Sequence, residues 1–129
     1  MTIKRTTKGI TVSVDSAYLP EQSRPRLSQF IHGYQIKIEN HSKQTVQLLR
    51  RHWYIKNEIG EIREVEGEGV IGQCPILKPT ASHAYTSYCP LDTEMGAMWG
   101  YYTMEDKQTG EEFEVEVPEF QLIAPLKLN

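Results

Sequence analysis

Apolar and polar residues alternate with period two over Gly9-Ile10-Thr11-Val12-Ser13-Val14-Asp15, the spacing at which a strand sends every second side chain to a core and the others to water. The alternation returns in Tyr34-Gln35-Ile36-Lys37-Ile38-Glu39 and stops at Asn40-His41-Ser42-Lys43, where Asn and Ser favour a turn. Thr45-Val46-Gln47-Leu48-Leu49 and Trp53-Tyr54-Ile55 continue the apolar pattern, but their phases disagree across Arg50-Arg51-His52. A β-bulge that re-aims the side chains is therefore expected there. Asn57-Glu58-Ile59-Gly60-Glu61 reads as a hairpin connection, and further strand-like runs cover 62–65, 76–79, 83–88, 95–104 and 112–118. Residues 19–29 are a polar loop broken by Pro20 and Pro25. Turn signals recur roughly every 8–12 residues and no window carries an uninterrupted amphipathic helix, so an all-β fold is predicted, an antiparallel β-sandwich with Trp53 in its core.

Length and composition make that sandwich plausible without staples. A chain of 129 residues fits a single domain over 1–129, and at this size folding buries roughly two-thirds of the unfolded surface. With 39% hydrophobic and 24% charged residues the composition is that of a folded chain, and the patterning places its core at about residues 8–125. Met1-Thr2-Ile3-Lys4-Arg5-Thr6 contains no continuous apolar run, and no later stretch approaches the roughly 18 apolar residues that span a bilayer, so a cytoplasmic protein with no membrane contact is expected. Cys74 and Cys89 form no C-x-x-C pair and are expected as reduced thiols. Net charge is -3, which opposes general nucleic-acid affinity, yet residues 1–65 carry eleven Lys and Arg against six acids while 66–129 carry three against eleven. A sandwich interleaves its halves, and folding is expected to bring these signs together.

Gly67-Glu68-Gly69-Val70-Ile71-Gly72 matches the G-x-G-x-x-G pattern that cradles dinucleotide phosphates. That chemistry needs a helix N-terminus beneath the glycines, and Pro75 and Pro79 forbid the helix. What remains is a loop able to reach positive φ, either to approach a neighbouring strand or to hold an anion on a nest of amides. Arg50 and Arg51 could supply the counter-charge. Glu64, Glu66 and Glu68 share one strand face, as do Glu112, Glu114 and Glu116. Such grouped carboxylates suit either a solvated face or a hard divalent ion. His32, His41, His52 and His83 have no metal-ligand spacing, and neither a G-x-S-x-G elbow, an H-E-x-x-H helix nor a Walker lysine is present. Ser82-His83 and Ser87 lie near Cys89, but neighbours on a strand point to opposite faces, so no nucleophile and base pair is expected.

Val46-Gln47-Leu48-Leu49-Arg50-Arg51-His52-Trp53, Val65-Glu66-Gly67-Glu68-Gly69-Val70-Ile71-Gly72, Tyr85-Thr86-Ser87, Met95-Gly96-Ala97-Met98-Trp99-Gly100-Tyr101-Tyr102 and Pro118-Glu119-Phe120 follow one another in the order found in the ApaG family, also called CorD, which the chain resembles over nearly its whole length. The resemblance implies a fibronectin type III-like sandwich, in agreement with the strand pattern. It also implies a bacterial protein associated with cobalt resistance and magnesium efflux. Related domains in eukaryotic F-box adaptors and in a polymerase-interacting protein imply protein contacts. The family's glycine motif, here Gly67, Gly69 and Gly72, implies affinity for pyrophosphate-containing nucleotides, although Gln73-Cys74 and Tyr88 depart from the family's usual residues. The reading that follows is a non-enzymatic binding module without a cofactor. Its protein partner, or a second copy, would meet Trp99, Tyr101 and Tyr102. The alternatives are a phosphate or nucleotide binder using Gly67, Gly69, Gly72, Arg50 and Arg51, and a metal binder using Glu64, Glu66 and Glu68.

Overall fold

The computed structural model describes residues 2–125. Nine strands form within them: β1 (Ile3–Thr7), β2 (Ile10–Tyr18), β3 (Phe30–Asn40), β4 (Val46–Asn57), β5 (Ile62–Glu68), β6 (Ile76–Leu77), β7 (Ser82–Leu91), β8 (Met95–Asp106) and β9 (Glu112–Ile123). The loop after β2 is tightened by two short 3-10 turns that begin at Pro20 and Pro25, where the fixed proline φ suits the first position of such a turn. One sheet has the order β1-β2-β3-β7 and the other β5-β4-β8-β9, with β6 pairing β4 beyond the end of β5, and the pairings are antiparallel throughout. The two sheets pack face to face as the antiparallel sandwich that the strand pattern predicts, with the fibronectin type III-like build that the resemblance implies. β1 is the element the pattern does not reveal. Its three central residues are exposed and only Ile3 packs inward, so an edge strand of this kind shows no alternation to read.

The core lies between the sheets. Ile10, Val12 and Val14 of β2 and Ile36 and Ile38 of β3 meet Leu48 of β4, Tyr102 and Met104 of β8, and Val115, Phe120 and Leu122 of β9, all nearly inaccessible to water. Trp53 sits at the centre, edge-on to Tyr34, Tyr102 and Phe120 at ring separations of 5.6, 6.1 and 6.2 Å. The bulge expected in β4 falls between Leu48 and Arg50 in the pairing with β8. It shifts the phase by one residue, so Leu48 and Trp53 can both point inward although they are an odd number apart, and it turns Arg50 outward and Arg51 toward the sheet interior.

The sides of the sandwich differ. Where β1 and β2 approach β9, Arg5 pairs with Glu116, the Glu116 amide donates to the Thr7 hydroxyl at 3.3 Å, and the Ser16 hydroxyl donates to the Gln121 carbonyl at 3.2 Å. On the opposite side the outermost strands are β5 and β7. The Arg63 guanidinium crosses between them to the Pro90 carbonyl and the Cys89 sulfur. Two open cavities lie along this side, about 630 Å³ near Ile31, Ile55, Arg63 and Leu91 and about 240 Å³ near Tyr34, Arg51 and Tyr85.

Candidate functional site

The outer face of the five-stranded sheet is built in transverse rows by strand register. One row runs Glu64, Tyr54, Trp99, the next Glu66, His52, Tyr101, Glu116, and the third Glu68, Arg50, Thr103, Glu114. Tyr54 stacks on Trp99 at 5.7 Å and 14°, and His52 stacks on Tyr101 at 5.0 Å and 15° while also meeting Tyr54 at 4.7 Å. His52 places Nε2 2.8 Å from Glu64 and Nδ1 2.7 Å from Glu66. Arg50 donates to Glu112 at 3.0 Å. A row of rings held by stacking and by the polar contacts of His52 with Glu64 and Glu66 therefore runs down the middle of the face, with carboxylates on both flanks. Both glutamate triplets read from the sequence lie here. The registers of β5 and β9 turn both triplets to the same side of one sheet, and there Arg5 and Arg50 from the first half of the chain meet Glu116 and Glu112 from the second, so folding brings unlike charges together at these pairs while it gathers the carboxylates on one face.

The glycine stretch makes a tight turn from β5 toward β6. Val70 and Gln73 pair through N–H to carbonyl bonds of 2.8 and 3.0 Å, and the two residues between them, Ile71 and Gly72, have φ of 47° and 71°. This is the type I′ two-residue connection, whose twist matches that of the strands it joins. Gly69 has a different constraint: a Cβ there would sit 2.3 Å from the Gln73 carbonyl oxygen. The amides of Gly69 and Val70, two of the six in the stretch, are committed to the carbonyls of Leu49 and Gln73, so part of the supposed amide nest is already closed by backbone.

Gly67 is glycine for a side chain. Its missing Cβ would fall 2.5 to 2.6 Å from the Arg51 guanidinium, which lies across it and donates to the carbonyls of Glu68 and Gly69 at 2.9 and 3.0 Å. Arg51 has no carboxylate partner among the described residues. Its charge faces the smaller cavity, where Tyr85 shares a short hydrogen bond with Tyr102 and Tyr34 and Ser87 line the wall. Burial pushes all three phenols up, and the Arg51 charge pulls each of them back.

The structure divides the sequence-predicted residues into separate places. Trp99 and Tyr101 are on the outer face, but Tyr102, expected beside them, is fully buried, because β8 alternates and its even-numbered side chains fill the core. Arg50 and Arg51 part at the bulge, one to the outer face and one to the cavity. Glu64 and Glu66 engage His52, and no group of three or more His, Cys, Asp or Glu among the described residues could hold a metal ion. Cys89 is buried and its thiol pushed up to about 11, which makes it a poor nucleophile. Sequence reasoning missed His52 and Tyr54 as members of the ring row. The available signal was the shared parity of residues 52 and 54 within β4.

The fold defines a class, the small antiparallel sandwiches of fibronectin type III-like build. The family model described as the ApaG domain matches residues 20–106, and the chain belongs to that family. It is 47% identical over 119 residues to Protein ApaG of Sinorhizobium fredii, covering 92% of this chain and 91% of that one. It is 45% identical to Protein ApaG of Paramagnetospirillum magneticum, with 94% and 92% covered. Among solved structures, the putative ApaA protein of Bordetella pertussis superposes with a TM-score of 0.86 at 41% identity, over 92% of this chain and 95% of that chain. No helix among the described residues is long and apolar enough to cross a membrane.

Proposed function

We propose that the chain is a cytoplasmic, non-enzymatic binding module, one domain over 1–129, that receives a protein partner on the outer face of the five-stranded sheet. The stacked row of His52, Tyr54, Trp99 and Tyr101 carries this reading. Rings already fixed by stacking lose little side-chain entropy on contact, and Trp and Tyr dominate the energetics of protein interfaces. On this reading, any link to cobalt resistance or magnesium efflux runs through the partner and needs no metal on this chain. Affinity capture from a bacterial lysate with Trp99→Ala as control is the test. A stoichiometric partner that the wild type retains and the variant loses by about tenfold or more supports the reading. Equal capture by both, or strictly monomeric sedimentation with no partner, opposes it.

One observation favours a second reading, an oxyanion held by Arg51. This half-buried guanidinium lacks a carboxylate partner and faces a cavity bordered by phenols and Ser87. Here the side chain does the work expected of Gly67, Gly69 and Gly72, which shape the turn around it. Calorimetric titration with pyrophosphate and ATP, with and without Mg2+, should give heat that Arg51→Met abolishes. No heat at millimolar ligand retires the idea.

A further inference from the structure

β5 is a free edge. Among the described residues it pairs only with β4, its seven residues form one outer border of the five-stranded sheet, and six of the seven are exposed. The ends of its ladder fix which backbone groups are spent. The Gly69 amide donates to the Leu49 carbonyl at 2.8 Å, and the Asn57 amide donates to the Glu61 carbonyl at 3.0 Å. Antiparallel pairs alternate between bonded and non-bonded positions, so between these ends the bonded pairs are Arg51 with Gly67, Trp53 with Val65 and Ile55 with Arg63. The N–H and C=O groups of Ile62, Glu64 and Glu66 therefore point away from β4, where no further strand of the described residues lies.

The side chains of this edge sort by face. Glu64 and Glu66 stand on the outer face beside the ring row, while Val65, 37% exposed and paired with the buried Trp53, looks toward the open side between the sheets. An edge of this kind invites strand addition, and its charge decides which strand can add. Central registers of β5 against a second copy would set Glu64 against Glu64 or Glu66, and like charges directly opposed are destabilising. The same carboxylates complement Lys or Arg at alternate positions of an incoming strand, whose intervening side chains would cover Val65. From this we infer that β5 takes up an extended segment of a partner protein, alternating basic and apolar residues, as an additional strand of the five-stranded sheet.

The inference deepens the protein-binding reading, since the added strand would lie beside the same ring row, but it depends on different atoms. The probe is a short, end-capped peptide alternating Lys and Val, followed by fluorescence anisotropy, with a block isomer of the same composition as control. The alternating peptide should bind and the block isomer should not. Glu64→Gln should weaken binding about two- to fivefold, in a salt-dependent way. Glu64→Pro should abolish it, because the lost amide is one that faces solvent and proline is tolerated there. An unchanged melting temperature confirms that the proline variant folds. Should that variant prove unfolded, amide exchange in the wild type decides: Arg63, Val65 and Gly67 are protected throughout, and Ile62, Glu64 and Glu66 become protected only with peptide. Equal binding of the block isomer, equal affinity of the Pro and Gln variants, or no new protection on β5 overturns the inference. If Trp99→Ala abolishes partner capture while the peptide leaves β5 unprotected, the face reading stands and strand addition falls. If the peptide protects β5 and Trp99→Ala captures as well as the wild type, the reverse holds.

Discussion

Gly69 and Ile71 are two residues apart on one turn and under opposite constraints. At Gly69 any side chain meets the Gln73 carbonyl at 2.3 Å, and φ is already +63°. Gly69→Ala should therefore lose roughly 1–3 kcal/mol in denaturant unfolding, with the damage local to the turn. At Ile71 the present residue is the poor one, since a β-branched side chain at φ 47° is strained and this one is 61% exposed. Ile71→Asn would place Asn-Gly in a type I′ turn, the pair that geometry favours, and should stabilise by roughly 1 kcal/mol, read as a higher melting temperature. The glycine spacing was plain in the sequence and Pro75 already excluded the Rossmann meaning. What the three glycines serve was not legible, because the Arg51 guanidinium over Gly67 and the Gln73 carbonyl beside Gly69 are contacts that only the folded turn brings together.

Within elements, β3 carries a pH response. His32 is 1% exposed, its Nε2 has no hydrogen-bond partner, and its ring lies 5.4 Å from Tyr18. Burial holds its pKa below the ordinary 6.5, so as pH falls the unfolded chain takes the proton first. The contribution to stability is complete above 6.5 and is lost progressively as pH falls below it. His32→Leu should flatten the decline in unfolding free energy between about pH 7 and about pH 5, and an identical slope in both proteins would rule out His32 as the source. Among the strands with a buried face, β2 and β3 announced themselves by alternation, and β8 and β9 as strand-like runs. The bulge in β4 was foreseeable from the clash of phases around residues 50–52, whereas its effect, separating Arg50 from Arg51, depends on which residue is extruded. β1 stayed hidden because exposed edge residues leave no period.

Across the whole molecule the core is a single aromatic-centred layer, and its keystone can be tested directly. Trp53→Ala should cost about 3–5 kcal/mol in chemical unfolding, since Tyr34, Tyr102 and Phe120 all rest against that ring and cannot collapse into the space together. Sandwich architecture was readable from composition and turn spacing, but the charge distribution was not. Sequence halves say nothing about faces, and only strand register shows that both glutamate triplets border the same rings. The unequal sides of the sandwich also have a mechanical meaning. Side chains tie β1 and β2 to β9, while β5 and β7 stand apart across open space. Small relative rotations of the two sheets are therefore easiest about the tied side, with the largest displacement at the other. Arg63, bound to the Pro90 carbonyl, and the Tyr85–Tyr102 hydrogen bond are then the stops on that rotation, the side chains that govern how wide the sandwich can gape.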